Sequence, residues 1–229
     1  MSQEGYILKI QARSLNKVYI QGEKRILALN NIDIDIAEGK FTAIVGTSGC
    51  GKSTLLRTLS AIEEPSEGNV FYDSQNIYKL SDRERAALRR RKIGIVFQDY
   101  SLLPTLTALE NICTPTLMDS KKPDMKYINR VCEILGISDR LHHIPSEMSG
   151  GEQQRVAVAR ALVNKPSIIF ADEPTGNLDK NSAHELLDLL FITKKEYSQT
   201  LLMVTHDQDI AAHADIIIHM DNGTIVSQQ

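Results

Sequence analysis

The sequence predicts an α/β protein with a mainly parallel sheet, an N-terminal antiparallel β subdomain and an inserted α-helical subdomain. Three observations predict this fold. The chain begins with strand patterns, strands then alternate with helices, and a stretch of about 99–148 is helical in pattern. Alternating strands and helices imply a parallel sheet covered on both faces. We expect one domain over 1–229, with a core of about 1–98 and 149–229.

The strand predictions rest on two kinds of pattern. Residues 32–36 alternate between isoleucine and aspartate, which is typical of a strand with one buried face. Residues 41–45 form a short apolar run that ends in glycine, which is typical of a fully buried strand. In chain order, the predicted strands are 7–19, 32–36, 41–45, 93–97, 168–171, 201–205, 216–220 and 224–227. A turn at 221–223 (Asp-Asn-Gly) is expected to join the last two.

Helices are predicted at 52–62, 81–92 and, as a longer helical region, 107–141. Capping boxes open the second and third, at Ser81 with Glu84 and at Thr107 with Glu110. The second ends in a cationic run, 89–92. We interpret that run as a solvated helix end, because cations favourably meet the helix dipole there. Contact with anionic lipid headgroups is the alternative interpretation.

Composition excludes several classes of protein. A net charge of −3 gives no strong positive field, so we expect no nucleic-acid partner. No apolar stretch is long enough to span a bilayer, and the first ten residues lack the apolar core of a signal peptide. Cys50, Cys113 and Cys132 have no C-x-x-C spacing, which favours reduced thiols. We therefore expect a cytoplasmic chain.

The segment 46–53 reads G-T-S-G-C-G-K-S and satisfies G-x-x-x-x-G-K-[ST] between a predicted strand and a predicted helix. A chance match to a glycine-rich turn is the alternative, which this context disfavours. The motif predicts a P-loop NTPase core in which backbone N–H groups and a helix N-terminus hold phosphates. Lys52 should reach the β- and γ-phosphates of ATP, and the Ser53 hydroxyl should ligate Mg²⁺. The predicted nucleotide contacts here are Gly46, Thr47, Ser48, Gly49, Cys50, Gly51, Lys52, Ser53 and Thr54.

Two adjacent carboxylates, Asp172 and Glu173, follow the buried strand at 168–171. Ligands of open α/β sheets bind at the carboxyl ends of parallel strands. We expect Asp172 to hold Mg²⁺, and Glu173 to orient and deprotonate an attacking water. A solvated strand end is the alternative, which the P-loop motif in the same chain disfavours.

The segment 148–155, M-S-G-G-E-Q-Q-R, resembles the L-S-G-G-Q signature of the ATP-binding-cassette (ABC) ATPases. The other motifs of that family follow in the expected order over nearly the whole chain. By this resemblance, Gln98 belongs to the Q-loop, 176–179 (G-N-L-D) is the D-loop, His206 is the switch histidine that meets the γ-phosphate, and Tyr19 lies against adenine.

The resemblance thereby completes the expected site. Its further nucleotide contacts are Tyr19, Gln98, Ser149, Gly150, Gly151, Glu152, Asp179 and His206. The implied catalytic residues are Glu173, His206, Gln98 and Lys52, and the implied metal ligands are Ser53, Gln98 and Asp172. Two residues depart from the common signature, since Met148 replaces leucine and Glu152 replaces glutamine. Glu152 adds negative charge near incoming phosphates, and it also forms a capping-box pattern with Ser149.

The resemblance also implies partners. Two copies of such a chain form a head-to-tail homodimer with ATP sandwiched between a P-loop and the partner copy's signature. An integral-membrane permease subunit would use the resulting motion, which places the chain peripherally at the inner face of the cell membrane. Residues 99–104 would help to form the groove for this permease, with Tyr100 and Leu102 as contacts.

The segments 97–104, 145–147 and 171–179 are similar to the macrolide-exporter and lipoprotein-release group, which includes antimicrobial-peptide resistance pumps. This similarity implies export or membrane extraction of an amphipathic compound, peptide or lipoprotein. A cell-division ATPase that drives cell-wall remodelling through a membrane partner is the main alternative. A soluble ABC protein acting on ribosomes or DNA is a further alternative, but such proteins carry tandem cassettes or long coiled-coil inserts, and this sequence has neither. A small-molecule kinase is the last alternative, and it is disfavoured because a kinase would need neither Glu173 placed to activate water nor a signature helix.

Overall fold

The structure, a computed structural model, describes residues 9–229, so positions 7 and 8 of the first predicted strand lie outside the described residues. The chain divides into two compact units, one of residues up to Arg89 together with Thr200–Gln229, and the other of Arg90–Gln199. The strands are β1 (Ile10–Gln21), β2 (Lys24–Ile36), β3 (Phe41–Gly46), β4 (Glu67–Tyr72), β5 (Gln75–Asn76), β6 (Ile93–Val96), β7 (Ile168–Asp172), β8 (Thr200–Val204), β9 (Ile216–Asp221) and β10 (Thr224–Gln228). The helices are α1 (Lys52–Leu59), α2 (Asp82–Lys92), α3 (Ala108–Met118), α4 (Met125–Ile134), α5 (Gly150–Leu162), α6 (Lys180–Glu196) and α7 (Gln208–Ala211).

The first unit contains an antiparallel sheet in the order β2-β1-β4-β5. The isoleucines of 32–36 are buried and the intervening aspartates are exposed, because successive side chains of a strand point to opposite faces. The predicted N-terminal antiparallel β subdomain is confirmed.

The parallel strands of the first unit set the geometry of the phosphate loop. Strand β3 lies between β8 and β9 and runs parallel to both, while β9 and β10 form a hairpin through the predicted turn. The register pairs Ile44 with Val204 and with Ile218. The carboxyl ends of these three strands therefore meet at one edge of the sheet.

In the second unit, β6 and β7 pair in parallel, with Val96 opposite Ala171. Helix α5 packs its buried face, which includes Val156 and Ala159, against β6 and α3. The helical region predicted over 107–141 is two helices, because the chain leaves α3 at Asp119 and α4 starts anew at the side-chain cap of Asp124.

Four elements, β4, β5, α6 and α7, were not predicted, and for α5 only the capping box at its start was predicted. Strand β4 buries only Val70 and Tyr72 completely, so its alternation is too short to recognise. Other boundaries shift by a few residues; α1, for example, ends at Leu59 rather than at 62. Within 9–229, no helix is both long and apolar enough to cross a membrane.

Candidate functional site

The predicted phosphate loop connects β3 to α1 in a conformation that only glycine can adopt at two positions. Gly46 has φ 152° and Gly51 has φ 103°. A Cβ at Gly51 would lie 2.2 Å from the carbonyl oxygen of Ala28, and one at Gly46 would lie 2.2 Å from that of Met220. Gly51 has no side chain with which to cap α1, so the first N–H groups of that helix are suited to bind an anion.

The side chain of Lys52 is held inside this loop. Its Nζ donates hydrogen bonds to the carbonyl oxygens of Gly46 (2.9 Å) and Thr47 (2.8 Å), and the residue is only 6% exposed. Cys50 is also buried, with its Sγ 3.9 Å from the same Nζ. The ammonium group therefore lies within the turn where the sequence predicts phosphates.

Tyr19 lies beside the first turn of α1. Its hydroxyl oxygen is 3.4 Å from Thr54 Oγ1, and the hydroxyl donates to Glu63 Oε2 at 2.8 Å. Lys17 pairs with Glu63 at 3.0 Å and lies over the Tyr19 ring. Burial raises the pKa of the Tyr19 phenol above its ordinary value. The Tyr19 side chain therefore lies beside the first turn of α1, and its contact with adenine stays a prediction.

His206 lies at the same sheet edge as the phosphate loop. It follows β8, and the backbone N–H of Thr205 donates to the carbonyl of Ile44 in β3 at 3.1 Å. On its other side, Asp207 caps α7 through the backbone N–H of Asp209 at 2.8 Å. The chain on both sides of this exposed histidine is thus fixed, and the structure brings His206 and the phosphate loop to one edge.

In the second unit, Asp172 is the last residue of strand β7 and Glu173 follows it directly. Asp172 is 7% exposed, whereas Glu173 is half-buried and has φ 45°, in the left-handed region. This conformation costs a non-glycine residue about 1 kcal/mol or more. The turn is closed by a hydrogen bond from the Gly176 N–H to the Glu173 carbonyl at 3.0 Å. The strained backbone sets the direction in which the Glu173 carboxylate leaves the strand.

Gln98 emerges beside this turn, because β6 runs parallel to β7. The Asn177 side chain donates to the Gln98 carbonyl at 2.8 Å, and the Gln98 Nε2 lies 3.5 Å from Asn177 Oδ1. A Cβ at Gly176 would lie 2.8 Å from Gln98 Nε2. The structure therefore brings the predicted Q-loop and D-loop together within the second unit.

The predicted capping box at the signature is confirmed. The Glu152 carboxylate accepts from the Ser149 N–H at 2.7 Å, and the Glu152 N–H donates to Ser149 Oγ at 3.3 Å. The second carboxylate oxygen accepts from Arg140 Nε at 2.6 Å. The hydrogen bond from the Ser149 backbone and then that from Arg140 lower the pKa of Glu152 to about 2. Arg140 therefore offsets part of the extra negative charge of this signature, since it also pairs with Asp139 at 2.6 Å.

We predict that this cap makes part of the stability acid-sensitive. Because the folded pKa of Glu152 is about 2 and the ordinary value is about 4.3, its contribution is present above about pH 4.3 and is lost as the pH falls towards 2. Glu152→Gln should lower the free energy of unfolding by about 1–2 kcal/mol at pH 7, after allowance for solvent screening. Urea unfolding at pH 7 and near pH 3.5 measures the difference, which should shrink in acid. An equal difference at both pH values would contradict the prediction.

Two polar residues of α5 hold the site loops, and sequence reasoning did not find either. Gln154 is fully buried, and its Nε2 donates to the carbonyls of Pro174 (2.7 Å) and Phe97 (3.2 Å). Arg160 donates to the carbonyls of Tyr100 and of Ser101, both of which have positive φ. For Gln154, the sequence signal is a glutamine on the buried face of a helix.

Asp179, predicted as a D-loop contact, serves in this structure as the N-cap of α6. Its carboxylate accepts from the N–H groups of Asn181 (3.0 Å) and Ser182 (3.1 Å) and from the Ser182 hydroxyl (2.6 Å). These bonds, that of the Ser182 hydroxyl first, lower the pKa of Asp179. Any contact with nucleotide would add to this structural function.

The donors proposed for Mg²⁺ fit that ion chemically. Ser53, Gln98 and Asp172 offer a hydroxyl, an amide carbonyl and a carboxylate, and Mg²⁺ prefers such oxygen ligands together with substrate phosphates. Mg²⁺ characteristically uses only one or two carboxylates. Among residues 9–229, no cluster of three or more His, Cys, Asp or Glu is placed to hold a metal ion.

Comparison with known proteins agrees with this geometry. Residues 29–176 match the family model described as ABC transporter. An uncharacterized ABC transporter ATP-binding protein of Methanocaldococcus jannaschii is 45% identical over 219 residues, which cover 95% of this chain and 97% of that protein. The lipoprotein-releasing system ATP-binding protein LolD of Bordetella pertussis is 43% identical over 218 residues, 94% of each chain.

Two solved structures are similar over nearly the whole chain. The dimeric structure of MJ0796, described as a bacterial ABC transporter cassette, has a TM-score of 0.88 and 38% identity, and covers 96% of this chain and 97% of that one. A dimeric post-hydrolysis state of the same cassette, bound to ADP and Pi, matches equally well, with a TM-score of 0.88.

Proposed function

The chain belongs to the ABC transporter family and is an ATPase of that family, and on this premise we propose that it powers export or membrane extraction through a separate permease subunit. The transported molecule would be an amphipathic compound, a peptide or a lipoprotein. The 43% identity with a lipoprotein-releasing ATP-binding protein, over 94% of both chains, supports this assignment. The chain would act at the inner face of the cell membrane.

The observation that carries the ATPase mechanism is the phosphate loop. Its backbone excludes a Cβ at Gly46 and Gly51, and it holds the Lys52 ammonium by two carbonyl groups. Lys52 would move to the β- and γ-phosphates when ATP displaces those carbonyl contacts. His206, at the same sheet edge, would hydrogen-bond the γ-phosphate. Bound Mg²⁺ would offset phosphate charge, with Ser53 and Asp172 as donors.

Glu173 would orient the attacking water and accept its proton, since a carboxylate at the end of β7 is suited to general-base catalysis. Gln98, held beside it by Asn177, would help to position the water and the ion. We also propose that two copies sandwich ATP, with Ser149, Gly150 and Gly151 of one copy meeting the γ-phosphate of the other. Dimeric structures of a similar cassette support this arrangement. ATP would thus bring two surfaces together, and hydrolysis would let them part.

The loop at 99–104 is the proposed contact with the permease. Arg160 fixes its backbone, and Leu103 is 47% exposed, which suits an apolar contact. Tyr100 is less suitable for a test of this contact. Its hydroxyl packs against Gly150, where a Cβ would lie 2.8 Å away, so a substitution of Tyr100 would also disturb the signature.

We predict that Leu103→Glu abolishes co-purification of the permease and transport while the isolated chain keeps its ATPase activity. The matched control is Ile192→Glu on α6, because Ile192 is exposed to almost the same degree, 49%. The measurements are permease recovery from solubilised membranes and turnover of the purified chain. Retention of both the permease and transport by the Leu103 variant would remove this loop from the interface and weaken the transporter assignment.

A further inference from the structure

A cluster of cations surrounds one buried carboxylate where α2 and α3 end. Asp119 follows α3, and its side chain is only 3% exposed. It pairs with Arg91 at 2.7 Å, with Lys121 at 2.9 Å and with Arg90 at 3.4 Å. Three cations on one anion leave two positive charges in excess, and Lys122 adds another at the next position. Arg91 and Lys121 remain more than half exposed, at 53% and 59%.

Two large apolar side chains directly precede Asp119 and the lysines in the chain. Leu117 and Met118, the last residues of α3, are 56% and 67% exposed. The chain folds back there, since the Lys121 N–H donates to the Thr116 carbonyl at 3.2 Å and that of Ser120 to the Leu117 carbonyl at 2.9 Å. This return keeps Lys121 next to the end of the helix. Exposed apolar residues and exposed cations therefore lie within six consecutive positions, 117–122, at this end of α3.

We propose that this surface, formed by Arg91, Leu117, Met118, Lys121 and Lys122 and called the basic-apolar patch, docks on the headgroups of anionic phospholipids in a bilayer. The argument is charge complementarity with an apolar component. Cations near an anionic leaflet gain attraction, and apolar side chains among them enter the boundary between headgroups and acyl chains. The cations alone or the apolar side chains alone would bind a membrane weakly, whereas their contributions to the binding free energy add when both are present.

The rest of the molecule does not explain the patch. The chain carries a net charge of −3, so general electrostatic attraction to an anionic surface is not expected. Helix α6 provides a comparison, because it also exposes an apolar residue, Ile192, beside Lys195. There, however, two acidic residues, Asp188 and Glu196, lie four positions to either side of Ile192. The proposal concerns a membrane surface and does not depend on which molecule is transported.

The charge contribution is tested with vesicles. The purified chain is sedimented with vesicles of phosphatidylcholine alone, or of phosphatidylcholine mixed with phosphatidylglycerol, and we expect binding to the mixed vesicles only. Lys121→Gln/Lys122→Gln should reduce partitioning about tenfold or more. The control Lys79→Gln/Lys195→Gln removes the same charge from other exposed positions and should bind like the wild type.

The apolar contribution is tested in the same assay. Leu117→Ser/Met118→Ser should also reduce partitioning severalfold, while Ile192→Ser/Val226→Ser, at comparably exposed positions, should not. Thermal unfolding and basal ATPase activity confirm that each variant is folded. Absence of wild-type binding to the mixed vesicles would overturn the proposal, and an acidic protein segment would then be the better occupant. Equal binding to neutral vesicles, or equal loss in either control, would overturn it as well.

Discussion

Replacing Glu173 with glutamine is expected to reduce ATP turnover about a hundredfold or more while ATP still binds. Glutamine keeps the shape and hydrogen-bonding capacity of the side chain but cannot accept a proton from water. The phosphate loop belongs to separate residues, so affinity for ATP should persist. If two copies sandwich ATP, the variant should accumulate as a dimer, because the step that separates the copies is blocked.

The backbone of Glu173 supplies a second, independent part of this prediction. Its φ of 45° is unfavourable for a side chain and acceptable for glycine. Glu173→Gly should therefore raise the free energy of unfolding by about 1 kcal/mol while it abolishes turnover. Such opposite effects on stability and activity are characteristic of a strained functional residue and would not occur at a solvated strand end.

The measurements are steady-state phosphate release, size-exclusion chromatography with ATP, and urea unfolding. Glu67→Gln, an exposed change of the same kind on β4, is the control and should alter none of them. Unchanged turnover in Glu173→Gln would remove Glu173 from its proposed function. Lost turnover without a dimer would leave an ATPase whose assembly requires the membrane partner.

The sequence was sufficient for features whose signal is local. The phosphate loop, the capping box at Ser149 and the β9–β10 turn each depend on residues that are adjacent or a few positions apart, so spacing alone predicts them. Helix α6 was equally readable, because Asp179 is a typical cap and Leu186, Leu187 and Leu190 form a buried stripe.

Other features depend on contacts that spacing does not encode. Gln154 bonds to carbonyl groups 57 and 20 residues away, so its function becomes visible only when the strands that carry those groups are adjacent. The ion pair between Glu152 and Arg140 has the same origin, since a loop and the one-turn helical segment Pro145–Glu147 separate the two residues in the chain. The left-handed backbone of Glu173 is another such case, because a glutamate rarely adopts a positive φ without tertiary support.

The second large effect is expected from Gly51→Ala. The new Cβ would lie 2.2 Å from the Ala28 carbonyl oxygen, which is backbone and cannot rotate away, and the φ of 103° is itself unfavourable. The loop or strand β2 must therefore shift. We expect a loss of about 2 kcal/mol or more in the free energy of unfolding. ATP affinity should fall more than tenfold, because the loop N–H groups would no longer converge on the phosphates.

Alanine substitutions at two other glycines distinguish the effect of the steric clash from that of backbone strain. Gly49 has φ 79° and Gly39 has φ 67°, and within the described part of the chain no atom lies within 4 Å of a Cβ built at either position. Alanine at Gly39 should cost about 1 kcal/mol of stability and leave ATP affinity unchanged, whereas alanine at Gly49 should add a smaller loss of affinity than alanine at Gly51. Urea unfolding and fluorescence titration with a nucleotide analogue measure both quantities. Three equal losses of stability would show that strain alone operates, and an unchanged ATP affinity in Gly51→Ala would show that phosphate binding does not depend on the close approach of this loop to β2.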